Sequence, residues 1–173
     1  MRVTAGPIDN PAPPTPEPKY NRGLMKILIG GDHAGFPLKE HLIRFLKAAG
    51  YEIEDIGAFQ VDPEDDYPDF SLAVAEGVAA GRADRGIIAC GSGVGASIAA
   101  NKVKGARAAL CHDTYTAAQG VEHDAMNVLC LGGRVIGITT AEKVVEAFLT
   151  ANYSGEERHA RRLAKITAAE QRL

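Results

Sequence analysis

The chain has no uninterrupted apolar run approaching the ~18 residues that a bilayer-spanning helix needs, so no membrane partner is expected. It has no excess of one charge either. Nineteen Lys and Arg stand against 22 Asp and Glu, for a formal net charge of −3. Binding to a nucleic-acid backbone depends on clustered cations, which a balance of this kind does not supply. Cysteine is scarce: Cys90, Cys111 and Cys130 form an odd set spaced 21 and 19 residues apart. Without a C-x-x-C pair they fit neither a disulfide framework nor a structural zinc site. Together these absences lead to the expectation of a soluble, cytoplasmic chain with no metal.

What remains is ordinary globular composition, 46% hydrophobic and 24% charged over 173 residues. That length suits one domain with a substantial core and a short appendage. The appendage is N-terminal, for six of the nine prolines fall between Pro7 and Pro18. Such a run forms neither helix nor central strand, so residues 1–24 are expected to be an extended, polyproline-like arm. The arm lacks the apolar core of a secretory signal and the charges of a basic targeting helix. Residues 25–173 are expected to be the compact domain.

Within that domain strand and helix patterns alternate. Short apolar strands are expected over 25–29, 51–56, 86–90, 106–111 and 127–131. Helices are expected from Pro37 to Gly50, from Pro68 to Gly81, up to Asn101, and over 113–121, 139–151 and 156–170. Leu38, Leu42, Phe45 and Leu46 mark the apolar stripe of the first, and Val144, Val145, Phe148 and Leu149 that of the fifth. Strands separated by helices pair in parallel through right-handed crossovers. The expected fold is therefore α/β, a Rossmann-like three-layer sandwich with a five-stranded parallel sheet and a C-terminal helix. Ligands of such sheets gather outside the carboxyl ends of the strands. The turns at 30–35, 90–95, 111–114 and 132–134 are the places to look.

Chemistry-bearing residues cluster there. Cys90 ends the third strand, and Gly91-Ser92-Gly93-Val94-Gly95 leads into a helix. Glycines let backbone N–H groups face an anion, which a helix N-terminus also favours. A thiolate base beside such a nest is what proton abstraction next to a carbonyl requires. The same stretch also reads as Gly91-x-Gly93-x-x-Ala96 with Asp113 as a ribose-binding acid, a dinucleotide fingerprint. That motif normally follows the first strand of its fold, and it has no use for Cys90. Cys111 and Cys130 read as small buried hydrophobes. His33 beside Asp32 and His123 beside Asp124 are expected to converge with the thiol turn. His41 reads as solvated, and His112 has no motif role. Arg158 and Arg162, four residues apart, share a helix face. With Arg134 they offer forks that match phosphate, a solvated basic face being the alternative.

Taken in order, Gly31-Asp32-His33-Ala-Gly35, Asp66-Tyr-Pro-Asp69 and Cys90-Gly-Ser-Gly-Val-Gly-Ala-Ser-Ile-Ala-Ala-Asn-Lys102 resemble the type B ribose-5-phosphate isomerase family, which includes the galactose-6-phosphate isomerase subunits. His123, Asn127-Val-Leu129, Gly133-Arg134 and Arg158-His159-x-x-Arg162 continue the series, and the resemblance covers about 25–171. It implies cofactor-free interconversion of aldose and ketose phosphates through an enediolate. It also implies homodimers or dimers of dimers with sites completed at the subunit interface. Cys90 then corresponds to the proton-abstracting base and His123 to the acid that opens the furanose ring. Asp32 and His33 correspond to sugar contacts, and Gly91, Ser92, Gly93, Val94 and Gly95 to the anion-binding loop. Arg134, Arg158 and Arg162 correspond to phosphate ligands. The family usually has Asn where this chain has Asp124, another sugar-contact position, and an ionised Asp accepts hydrogen bonds but cannot donate them. The expected substrate pair is ribose 5-phosphate and ribulose 5-phosphate. The competing readings are an isomerase of six-carbon sugar phosphates, a dinucleotide-binding module, and an inactive family member serving as a subunit.

Overall fold

In the computed structural model, which describes residues 25–172, five strands alternate with helices and a sixth helix closes the chain. The expected arm over 1–24 lies outside the described residues. The elements are β1 (Lys26–Gly31), α1 (Phe36–Ala48), β2 (Glu52–Gly57), α2 (Tyr67–Ala79), β3 (Arg85–Cys90) and α3 (Val94–Ala100). They continue with β4 (Ala108–Leu110), α4 (Thr114–Asp124), β5 (Val128–Gly132), α5 (Ile138–Thr150) and α6 (Glu157–Glu170). All strand pairs are parallel, in the order β2-β1-β3-β5-β4. Ile29 lies opposite Ile87, and Ile87 opposite Leu129, so an apolar row crosses the middle of the sheet.

Both faces of the sheet are covered, which is why β3 and β5 are buried at every residue. On one face α1, α4 and α5 bring Leu42, Leu46, Val121, Val144 and Phe148 against Ile27, Ile29, Leu129 and Leu131. On the other, α2 and α3 bring Val74, Val78, Ala96 and Ala100 against Leu28, Ile88, Val128 and Cys130. Each large aliphatic side chain removed from water contributes about 1.5–3 kcal/mol. Lys39 is fully buried on α1, where its ammonium group meets both oxygens of Asp55 at 2.7 and 2.8 Å and ties the helix to β2. His41, expected to be solvated, instead reaches Glu142 across 2.7 Å and joins α1 to α5.

The edge strand β4 is shorter than the expected 106–111. Asn127 takes over its start, for the Arg107 N–H donates to the Asn127 side-chain oxygen at 2.7 Å and not to a strand partner. Helix α6 lies outside the sandwich against α4, and His159 is its one buried residue among those described. The chain leaves β1 toward one face of the sheet and β3 toward the other. A crevice is therefore left between the two turns, outside the carboxyl ends of the strands.

Candidate active site

The crevice is walled by backbone. A Cβ on Gly35 would fall 2.0 Å from the Ala89 carbonyl oxygen, so only glycine lets the β1 turn press against the end of β3. Asp32, 7% exposed, holds that turn by accepting the Gly35 N–H at 2.8 Å. Across from it Cys90 is 5% exposed, and the Gly93 N–H donates to its sulfur at 3.1 Å. Gly93 has φ +82°, the left-handed conformation that glycine adopts without strain, and this turns the loop into α3. The β5 turn closes the third side. Gly133 N–H donates to the Cys90 carbonyl at 2.7 Å and Arg134 N–H to that of Gly91 at 3.0 Å. The Arg134 guanidinium lies over the glycine loop, 3.9 Å from where a Cβ on Gly91 would stand.

Three further residues shape this end: Asp65 lies outside every motif, Tyr67 falls within Asp66-Tyr-Pro-Asp69 without a role of its own, and His112 lies in one of the strand-end turns. Asp65, in the loop between β2 and α2, accepts the His33 backbone N–H at 2.9 Å and meets His33 Nδ1 at 2.6 Å. A carboxylate only accepts, so Nδ1 of His33 carries a hydrogen. Tyr67 lays its ring beside Gly95, where a Cβ would be 2.6 Å from Cζ. His112 accepts the Gly132 N–H through Nε2 at 3.0 Å and so steadies the end of β5. Asp113 is occupied as the cap of α4. It accepts the Thr116 N–H at 2.8 Å and the Thr116 hydroxyl at 2.7 Å, which holds its carboxyl below the ordinary range. Among the described residues no group of three or more His, Cys, Asp or Glu is placed to hold a metal ion.

The expected convergence of His123 on the thiol turn does not occur within one chain. Helix α4 starts beside the carboxyl end of β4 and runs back for 11 residues to the start of β5. At 1.5 Å per residue it carries its last turn about 15 Å away, to the amino ends of the strands. His123 and Asp124 sit on that last turn, at the opposite end from Cys90. Arg158 and Arg162 are with them, because α6 packs on α4. His123 packs against His159 with ring centroids 3.9 Å apart and ring planes tilted by 56°, and the Gln119 side-chain amide donates to its Nδ1 at 2.7 Å. His159 is 1% exposed and meets Ser154 Oγ through Nδ1 at 3.1 Å. Both arginines are exposed, Arg158 resting on Glu156 at 2.8 Å. A groove of about 550 Å³ between α4, α6 and the edge of β4 has Gln119 and Asp124 at its rim and Leu110, Met126 and Ile166 along it. Cys90 does not line it. The motif residues therefore form two clusters at opposite ends of the chain. One holds Asp32, His33, Cys90, the glycine loop and Arg134; the other holds His123, Asp124, Arg158 and Arg162.

Residues 27–166 match the family model described as Ribose/Galactose Isomerase. The chain is 44% identical over 149 residues to ribose-5-phosphate isomerase B of Escherichia coli strain K12, covering 86% of this chain and 99% of that one. A structure of Clostridium thermocellum ribose-5-phosphate isomerase B superposes with TM-score 0.83 at 49% identity, covering 86% of this chain and 99% of that one. The Mycoplasma genitalium ribose-5-phosphate isomerase B with bound ribulose-5-phosphate superposes with TM-score 0.82 at 43% identity, covering 86% and 97%. Five parallel strands in this topology, a thiol and glycine loop at their carboxyl ends, and similarity along nearly the whole described chain lead to one assignment: the protein belongs to the ribose/galactose isomerase family and is an isomerase of the intramolecular oxidoreductase class.

Proposed function

We propose that this enzyme interconverts ribose 5-phosphate and ribulose 5-phosphate, at sites that each combine the Cys90 half of one protomer with the His123 half of a second copy. The observation that carries the proposal is the split of the motif residues between opposite ends of one chain. In the proposed reaction His123 protonates the ring oxygen as the furanose opens. Cys90, as thiolate, removes the proton from C2 and returns it to C1. The negative oxygen of the enediolate lies against the amides of Gly91 to Gly95, which are fixed before the reaction and so stabilise charge without reorganising. The His123 half brings the Arg158 and Arg162 guanidinium groups toward the phosphate, and Arg134 approaches from the Cys90 half. No step requires a cofactor. The names of the relatives, and the ribulose-5-phosphate bound to one of them, support the five-carbon substrate.

Mixing two inactive variants tests the composite site. In a dimer of one Cys90→Ala chain and one His123→Ala chain, one of the two sites has both groups intact. Random exchange of subunits should therefore restore roughly a quarter of wild-type activity, since half the dimers are mixed and each has half its sites. A mixture that stays inactive would place both groups in one chain. Parallel assays with ribose 5-phosphate and allose 6-phosphate decide between five- and six-carbon substrates.

A further inference from the structure

His33 and His123 have partners of opposite kind. Nδ1 of His33 faces a carboxylate, which can only accept, whereas Nδ1 of His123 faces the Gln119 side-chain nitrogen, which can only donate. We propose that Gln119 is a positioning residue that keeps a hydrogen on Nε2 of His123, so that this nitrogen is a donor whether the ring is neutral or charged. The proposal rests on reading His123 as the ring-opening acid.

The geometry is local and well defined. Gln119 and His123 are four residues apart on α4, the spacing at which helical side chains meet. With Nδ1 accepting at 2.7 Å, the single hydrogen of the neutral imidazole lies on Nε2. The ring cannot swing away from this contact freely, because His159 lies across it and is itself buried and held by Ser154. When the ring gains a second proton, a carboxamide can turn and present its oxygen to Nδ1–H. A carboxylate at position 119 could not serve the neutral Nε2–H form. In ring opening, the electron pair of the C1–O bond goes to the ring oxygen, which takes its proton from Nε2 of the doubly protonated ring and leaves a neutral ring whose Nδ1–H donates to the turned Gln119 oxygen. The anomeric hydroxyl gives its own proton to water, from which the nitrogen is recharged. Nothing in this step involves the C2 proton that Cys90 handles.

That separation supplies the test. Ribulose 5-phosphate has its C5 oxygen esterified and cannot close a furanose, so exchange of its C1 hydrogen with D₂O proceeds without ring chemistry. In Gln119→Leu, kcat/KM from ribose 5-phosphate should fall about three- to tenfold, the loss of one hydrogen bond, while C1 exchange on ribulose 5-phosphate stays at the wild-type rate. Nitrogen-15 spectra of the wild-type enzyme should show neutral His123 with its hydrogen on Nε2. In Gln119→Glu the hydrogen should move to Nδ1, and kcat/KM from ribose 5-phosphate should fall at least as far as in Gln119→Leu while C1 exchange stays at the wild-type rate. Equal losses in both assays, or no loss in either, would overturn the role of Gln119, as would a wild-type spectrum with the hydrogen on Nδ1. If His123→Ala itself leaves the ring-dependent rate unchanged, the acid assignment fails and the proposal with it.

Discussion

The Cys90 end and the His123 end of this molecule hold comparable chemistry but are built from different materials. At the Cys90 end the groups are held by backbone at the close of three adjacent parallel strands: the Gly93 amide on the sulfur, the Gly133 amide on the Cys90 carbonyl, and the β1 turn pressed against Ala89. At the His123 end they are side chains on two helices outside the sheet, held by one another: His123 by Gln119 and His159, and His159 by Ser154. A cluster made of strand ends is rigid because the sheet is rigid. One made of surface helices depends on a few side-chain contacts. The two ends should therefore respond to mutation in different ways.

The largest expected effect is at the backbone-built end. Cys90→Ala should lower kcat by about 10²–10⁴-fold, the usual loss on removing a general base. Its melting temperature should barely change, because the loop amides remain and a small thiol is replaced by a methyl group. Measuring kcat together with thermal unfolding checks both statements. Retention of more than about a tenth of wild-type kcat, well outside that range, would mean that another group is the base.

At the helical end the expected loss is in binding. Arg158→Ala and Arg162→Ala should each raise KM for ribose 5-phosphate about ten- to a hundredfold, as charge-assisted hydrogen bonds to a dianion are worth roughly 1.5–3 kcal/mol. Both arginines are exposed, so stability should change little. Unphosphorylated ribose is the control. If it loses kcat/KM in the same proportion as ribose 5-phosphate, α6 supports the fold and does not grip phosphate.

The same contrast explains what the sequence could reveal. The alternation of apolar strands and striped helices, with glycine-rich turns after β1 and β3, is local information, and it placed Asp32, His33, Cys90 and Arg134 on one rim correctly. His123 lies just before β5 in sequence, which suggests the thiol turn, but its position depends on the length and direction of α4, which carries it to the other end. Asp65 reaches His33 across 32 residues from the loop between β2 and α2, a contact that no local pattern encodes. Gln119 was invisible for another reason: a glutamine on a helix becomes informative only once its amide is seen to face a ring nitrogen. The edge strand β4 is shorter than its apolar pattern suggests, because nothing in that pattern signals that the Asn127 side chain takes the Arg107 N–H.

A smaller effect, roughly tenfold in kcat/KM for the loss of hydrogen bonds from one carboxylate, is expected from Asp65→Ala. The carboxylate holds both the backbone and the ring of His33, so its removal should loosen the one side chain of the Cys90 end that depends on a distant loop. Asp65→Asn keeps an oxygen acceptor and should recover part of the loss. A variant as active as wild type would show that the β1 turn alone positions His33.

The smallest effect concerns the two cysteines other than Cys90. Cys130 is fully buried in β5 and Cys111 is 3% exposed, and burial holds both thiols above their ordinary pKa. Cys130→Ala should cost about 1 kcal/mol at pH 7, a typical cost for a single substitution, and leave kcat unchanged. The cost should shrink as pH rises. In the unfolded chain a free thiol ionises near pH 8.5, whereas buried Cys130 stays protonated, so the native state binds one proton more than the unfolded state. Stability that depends on this proton is complete below about pH 8.5 and declines above it at up to roughly 1.4 kcal/mol per pH unit. The alanine variant has no such proton, so urea titrations at pH 7 and pH 10 should find its deficit reduced or reversed at the higher pH. An unchanged deficit would mean that Cys130 ionises in the folded protein much as in the unfolded one, and that the apolar packing beneath the Cys90 end is looser than its burial indicates.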